Sequence, residues 1–202
     1  MGLAPYRPDF GQIIATDVDG LNVDRGFIAN LAWTATEAAA ASATAVHAAI
    51  TASAADVTTV TTGITNPPCA RSLTVTPGGT TDDVAACDVT ITGTNINDET
   101  ISETFAFLAN ASTATAGTKA FKTVTSISIP AQDGAAATFS VGTGQLIGLP
   151  YKLSKKRVLL TLNDGVVDTA PTLAISTSAY ESNTVDFNES LDGSVMDMSI
   201  IV

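Results

Sequence analysis

The chain has 202 residues, enough for a substantial core, and its 20 acidic against 9 basic residues leave a net charge of −11. That balance argues against a nucleic-acid partner or an anionic membrane surface, both of which need a basic footprint. Hydrophobic residues make up 45% but aromatics only 5% and charged residues 14%. The core must therefore come from Val, Ile, Leu, Ala and Thr methyl groups, and the surface from Thr, Ser, Asn and Ala.

Residues 1–26 are punctuated by Pro5, Pro8, Gly11, Gly20 and Gly26. They read as an extended N-terminal arm with one short strand at Gln12 to Thr16, ordered by contact with a neighbour. The opening MGLAPYRPDF lacks a positive segment followed by an apolar one, so no secretory signal is expected, and no run reaches the roughly 18 apolar residues of a spanning helix. Residues 27–62 are ambiguous: alanine favours helix, but the spaced β-branched threonines favour strands. The reading is a helical turn or short helix around 34–42, then strands near 44–51 and 57–62, with helix against strand open for 34–51.

From Asn66 onward the alternation is clear. Leu73 and Val75 alternate with Ser72, Thr74 and Thr76, and Pro77-Gly78-Gly79 is expected to turn the chain. Val89 and Ile91 follow in a second strand, Gly93 to Asp98 carry turn chemistry, and Ile101, Phe105 and Phe107 share one face. Phe121, Ile127 and Ile129 share odd parity up to Pro130; Gln132-Asp133-Gly134 turns, and Phe139 and Val141 mark another short strand. "GLPYKLSKKR" then holds Lys152, Lys155, Lys156 and Arg157, four of the nine basic residues. Beyond it, Asn163-Asp164-Gly165 predicts a hairpin, and Asp192-Gly193 a final one. The expected fold class is mainly β: an antiparallel β-sandwich or jelly-roll-like domain over 27–150, the arm over 1–26, and a small C-terminal β-module over 151–202. Threonine suits the outer face of such sheets, being β-branched, polar and uncharged. Low charge on strand edges invites pairing with other chains, so covered edges are expected.

Little in the chain carries chemistry. His47 is the single histidine, and no nucleophile motif accompanies it, so no catalytic residue is assigned and a non-enzymatic protein is expected. A zinc site from His47, Cys69 and Cys87 lacks short-range ligand spacing. Cys69 and Cys87 flank expected strands and could bridge, although two small buried hydrophobes is the simpler reading. Asp17, Asp19, Asn22 and Asp24 fail the calcium-loop pattern, since the glycine falls at position four and Ile28 at position twelve. No metal or cofactor site is therefore assigned. Glu99 and Glu103, about 13 Å apart along a strand, read as exposed ladder residues, and Asp82-Asp83 as a turn pair. Lys152 to Arg157 reads as a solvated linker or a dock for an acidic surface, including another copy of this chain.

The segments "GITNPPCARSLTVTPGGTT", "DVTITGTNINDETISETFAF", "TKAFKTVTSISIP" and "VGTGQLIGLPYKL", with the closing "ESNTVDFNESLDGSVMDMSIIV", resemble tailed-bacteriophage head-associated virion structural proteins of the capsid decoration, or cement, type. The resemblance covers about residues 45–202 and transfers no functional residue set. It implies a place on the virion capsid surface after synthesis in the bacterial host cytoplasm. The implied partners are the major capsid protein and copies of the chain itself in a homo-oligomer, a trimer where three-fold positions are occupied. The arm or the Ile200-Ile201-Val202 end would make the contacts. The alternatives are a tail-tube, head–tail connector or head-fibre component, or a carbohydrate-binding adhesin, for which Trp33, Tyr6, Tyr151 and Tyr180 are a thin aromatic supply.

Overall fold

The computed structural model describes residues 13–15, 18, 22–24 and 26–202. The strands in chain order are β1 (Ile13–Ala15), β2 (Asn22–Asp24), β3 (Ile28–Trp33), β4 (Ser42–Thr51), β5 (Thr58–Val60), β6 (Arg71–Gly79), β7 (Cys87–Thr94) and β8 (Thr100–Phe107). They continue as β9 (Thr115–Phe121), β10 (Thr123–Ile129), β11 (Ala137–Gly148), β12 (Val158–Asn163), β13 (Val166–Val167), β14 (Thr172–Ala174), β15 (Thr184–Asp186) and β16 (Met196–Ile201). Strands dominate the described residues and only two 3-10 turns are helical, so the protein is mainly β, with antiparallel sheets in a sandwich-like arrangement. The expected arm lies largely outside the described residues; within it, β1 pairs with β2, and β1 falls where a short strand was expected.

Two sheets enclose the first core. One has the order β5-β10-β7-β8; the other runs β14-β15-β11-β6-β9, with β4 also on β11. The alternation expected from the sequence is realised here: Leu73 and Val75, Val89 and Ile91, and Ile101, Phe105 and Phe107 all point inward. Phe107 meets Phe139 edge-on at 5.7 Å between ring centroids, a favourable aromatic geometry.

A third sheet, β13-β12-β16-β3, covers a second core. Trp33, Met196, Met198 and Ile200 from this sheet pack with Ile147, Leu149, Leu173, Val185 and Phe187. β11 serves both cores. Its first half sends Ala137, Phe139 and Val141 into the first, its register slips between Thr143 and Ile147, and Ile147 then enters the second. Strand pairing crosses the segment boundary placed at 150: β3 pairs β16, and β15 pairs β11.

Several local expectations are corrected by tertiary context. Pro77-Gly78-Gly79 does not turn the chain; β6 continues through it, with Pro77 opposite Phe139 and Gly79 opposite Ala137. β9 covers β6 only from Arg71 to Val75, so Pro77 lies where one side of the strand is open and a residue without an N–H is tolerated. The reversal comes at the 3-10 turn Thr81–Asp83 instead. Asp192-Gly193 is not a hairpin, because β15 and β16 join different sheets and Phe187 and Leu191 between them enter the second core. Asn163-Asp164-Gly165 is a hairpin as expected, with Asp164 and Gly165 at φ 48° and 78°, the positive values a two-residue primed turn requires.

The alanine-rich segment resolves into a single turn and a strand. Thr34 and Glu37 form a reciprocal cap, the Glu37 carboxylate accepting from the Thr34 N–H at 2.9 Å and hydroxyl at 2.8 Å, and β4 follows from Ser42. Phe121 and Ile127, read as one face of one segment, sit on different sheets, because the chain crosses between layers at Lys122.

Candidate functional site

The third sheet turns one face to the second core, and among the described residues no further sheet packs on the other. On β16, Met196, Met198 and Ile200 are buried, so Asp197, Ser199 and Ile201 face outward, and directly paired residues share that face. Ile201 pairs Ile28, Ser199 pairs Leu160, and Asp197 pairs Leu162, which in turn pairs Val167. Ile28 is 65% and Val167 71% exposed. The result is an outer face with exposed apolar residues, Ile28, Leu160 and Val167, around a polar centre. That centre is made by Asp197 and by the Ser199 hydroxyl, which donates to the Asn30 side-chain oxygen at 2.7 Å. β3 forms the border of this sheet, and among the described residues no strand pairs with its outer side. Exposed apolar residues beside a strand edge without a partner can add a strand or a sheet from another chain.

The other residues singled out in the sequence are dispersed. His47 stands in β4 opposite Val141, with Nδ1 2.7 Å from the Ala48 carbonyl. Cys69 and Cys87 are both free thiols. Burial pushes the Cys69 thiol up to about 11, partly offset by the Arg71 charge, and burial also raises Cys87. Neither is a thiolate at neutral pH. Alkylation of Cys69 by iodoacetamide in the native protein should therefore stay slow at pH 8 and accelerate only as pH approaches 11. Rapid labelling at pH 8 would contradict the buried-thiol geometry.

Asp17 and Asp19 of the rejected calcium loop lie outside the described residues. Among the described residues, no group of three or more acidic, cysteine or histidine side chains is placed to hold a metal ion. Glu99 precedes β8, and hydrogen bonds from the Asn95 and then the Asn97 side-chain amide hold its carboxyl below the usual range. Glu103 is not the exposed ladder residue expected but half-buried. Its Oε1 accepts from the Thr118 N–H at 2.7 Å and the Lys119 N–H at 3.2 Å, fastening β8 to β9 across the open end of the sandwich. Asp83 of the turn pair accepts from the Ala136 N–H at 2.9 Å.

Of the basic cluster, Lys152 lies 4.5 Å from the centre of the Tyr180 ring. Lys155 and Arg157 border a cleft of about 230 Å³ beside Tyr151 and Val202. Trp33 is 7% exposed and packs edge-on against Phe187 at 5.5 Å, so its ring belongs to the second core and is not a flat sugar platform.

Sequence reasoning missed the outer apolar face, although "RVLLTL", "GVV" and "SII" carry the signal: apolar residues at successive positions, where a half-covered strand should alternate. The fold defines the class as a mainly β protein with antiparallel sheets in a sandwich-like arrangement. Comparison of the chain with protein family models, curated proteins and solved structures gave no match.

Proposed function

We propose that the protein is a non-enzymatic structural component of a tailed-bacteriophage virion that decorates the capsid and stabilises it by bridging capsid subunits. The observation that carries this reading is the exposed apolar set Ile28, Leu160 and Val167 on the outer face of the third sheet, beside the edge of β3 that has no strand partner among the described residues. Such a surface is unfavourable in water and is stabilised when a neighbouring protein covers it. Repeated by symmetry over a shell, modest contacts of this kind sum to firm attachment. The partners are then the major capsid protein and further copies of the chain, and the place of action is the capsid surface.

Quantitative mass spectrometry of purified particles from the source tests this directly. A ratio near one copy per major capsid subunit is expected. A few copies per hundred would move the protein to the tail, connector or a unique vertex, and absence from particles would overturn the proposal.

Surface variants add a second test. Val167→Lys with Leu160→Lys should leave stability within about 0.5 kcal/mol, as both positions are exposed. The same double variant should weaken particle binding at least about tenfold, because burying two new charges on that face is costly. Undiminished binding would remove this face from the mechanism.

A further inference from the structure

Arg71 sits where β11 passes from one core to the other and is 1% exposed. Its Nε donates to the Gly144 carbonyl at 2.7 Å and its Nη1 to the Glu37 carbonyl at 3.4 Å, while Nη2 is buried with no partner. Both acceptors are neutral. The Glu37 carboxylate on the adjoining turn is occupied by Thr34, so it does not close an ion pair with the guanidinium. A buried cation without an anion is a costly arrangement, stabilised strongly when a carboxylate arrives with good geometry. Burial depresses the Arg71 pKa, as expected for a charge held out of water.

Arg71 borders a cavity of about 370 Å³ whose walls include Ala39, Ala40, Ala45, Pro67 and Thr143. The alanine and proline surfaces suit a short apolar stem, Thr36, Ser42, Thr65, Asn66 and Thr143 add polar groups, and the single guanidinium matches one negative charge. A phosphate dianion would bring a second negative charge, for which these walls hold no second cation.

We infer that this cavity is a carboxylate-binding site, with Arg71 as the charge that receives the ligand. The carboxylate comes either from an acidic side chain of a second copy, which this strongly acidic chain supplies in abundance, or from a small free acid. The site does not depend on the virion reading.

The test is thermal unfolding of the full chain in potassium acetate against potassium chloride at equal ionic strength. Acetate should raise the Tm saturably, by about 2–4 °C. Arg71→Met should abolish the difference. Should that variant fail to fold, Ala40→Glu, at an exposed wall position, supplies a carboxylate from within: it should melt above the parent in chloride and ignore acetate. Coincident melts of the parent in the two salts, or an acetate shift that survives in either variant, would overturn the site. Sedimentation velocity separates the sources. Association that acetate competes away and Ala40→Glu abolishes assigns the carboxylate to a second copy; an acetate-stabilised monomer assigns it to a free acid.

Discussion

Asn183→Leu should lower the stability of the folded protein by about 4 kcal/mol, measured by chemical denaturation, because it orphans four backbone groups at once. Asn183 is completely buried. Its Oδ1 accepts from the Leu153 N–H at 3.0 Å and the Ser176 N–H at 2.8 Å, and its Nδ2 donates to the Ser176 carbonyl at 3.0 Å and the Ala179 carbonyl at 2.6 Å. One amide thus fastens the segment after β11 to the loop between β14 and β15, where the backbone has no strand partner. Leucine has as many side-chain heavy atoms, leaves no cavity and supplies none of the four bonds, so the penalty is chiefly one of unpaired groups. Asn183→Asp separates the two halves of the amide. It keeps the acceptor for both N–H groups but points its second oxygen at two carbonyls. Burial and those carbonyls raise its folded pKa above the unfolded value of about 3.9. With the folded pKa raised, the Asp variant is most stable below pH 4 and loses stability as pH rises through the folded pKa. A variant equally stable at pH 4 and pH 7 would show that the carbonyls do not face the new carboxylate.

Gly142→Val should cost about 3 kcal/mol or more, for a steric reason. Gly142 lies mid-way along β11, between β6 and β4, at a point where the pairing with β4 is irregular. A Cβ there would overlap the Ser42 carbonyl oxygen and lie 2.6 and 2.7 Å from the Ala43 carbonyl carbon and Cα. These are backbone atoms, so no side-chain rotation relieves the overlap and β4 must move away. Since Val46 and Ile50 of β4 close one flank of the first core, the displacement opens that core to water. Gly165→Ala is the control: nothing lies within 4 Å of its added methyl, and only the positive φ of 78° is strained. It should cost about 1 kcal/mol. Equal losses at the two positions would refute the steric account.

The legible parts of this chain were those whose surroundings repeat. Leu73, Val75, Val89, Ile91, Ile101, Phe105 and Phe107 could be assigned to a common interior because a sheet with one buried face imposes a two-residue period. The hairpin at Asp164-Gly165 was legible because its φ values are a local matter. Arg71 was readable in principle, for it shares the odd parity of Leu73 and Val75, and a charged residue on the inward parity marks an anomaly. Asn183 carried no such mark, since an asparagine between short strands looks like any turn residue until its four partners are assembled.

The turn residues show where local reading ends. Pro77-Gly78-Gly79 and Asp192-Gly193 both have the composition of a reversal, and neither makes the expected one. In the first case β11 supplies a partner that keeps the strand extended; in the second, two sheets claim the strands on either side. By itself the amino-acid sequence determined the β class, the uncharged threonine-rich surface and the inward faces of the long strands, because propensity and alternation act between neighbours in the chain. Only the tertiary structure decided that β11 serves two cores, that β3 closes onto β16 from the far end of the chain, and that Arg71 is buried without a counter-charge. Those outcomes depend on which distant surfaces bury one another, a choice made by the total apolar area removed from water and by the satisfaction of buried polar groups, neither of which any single segment contains.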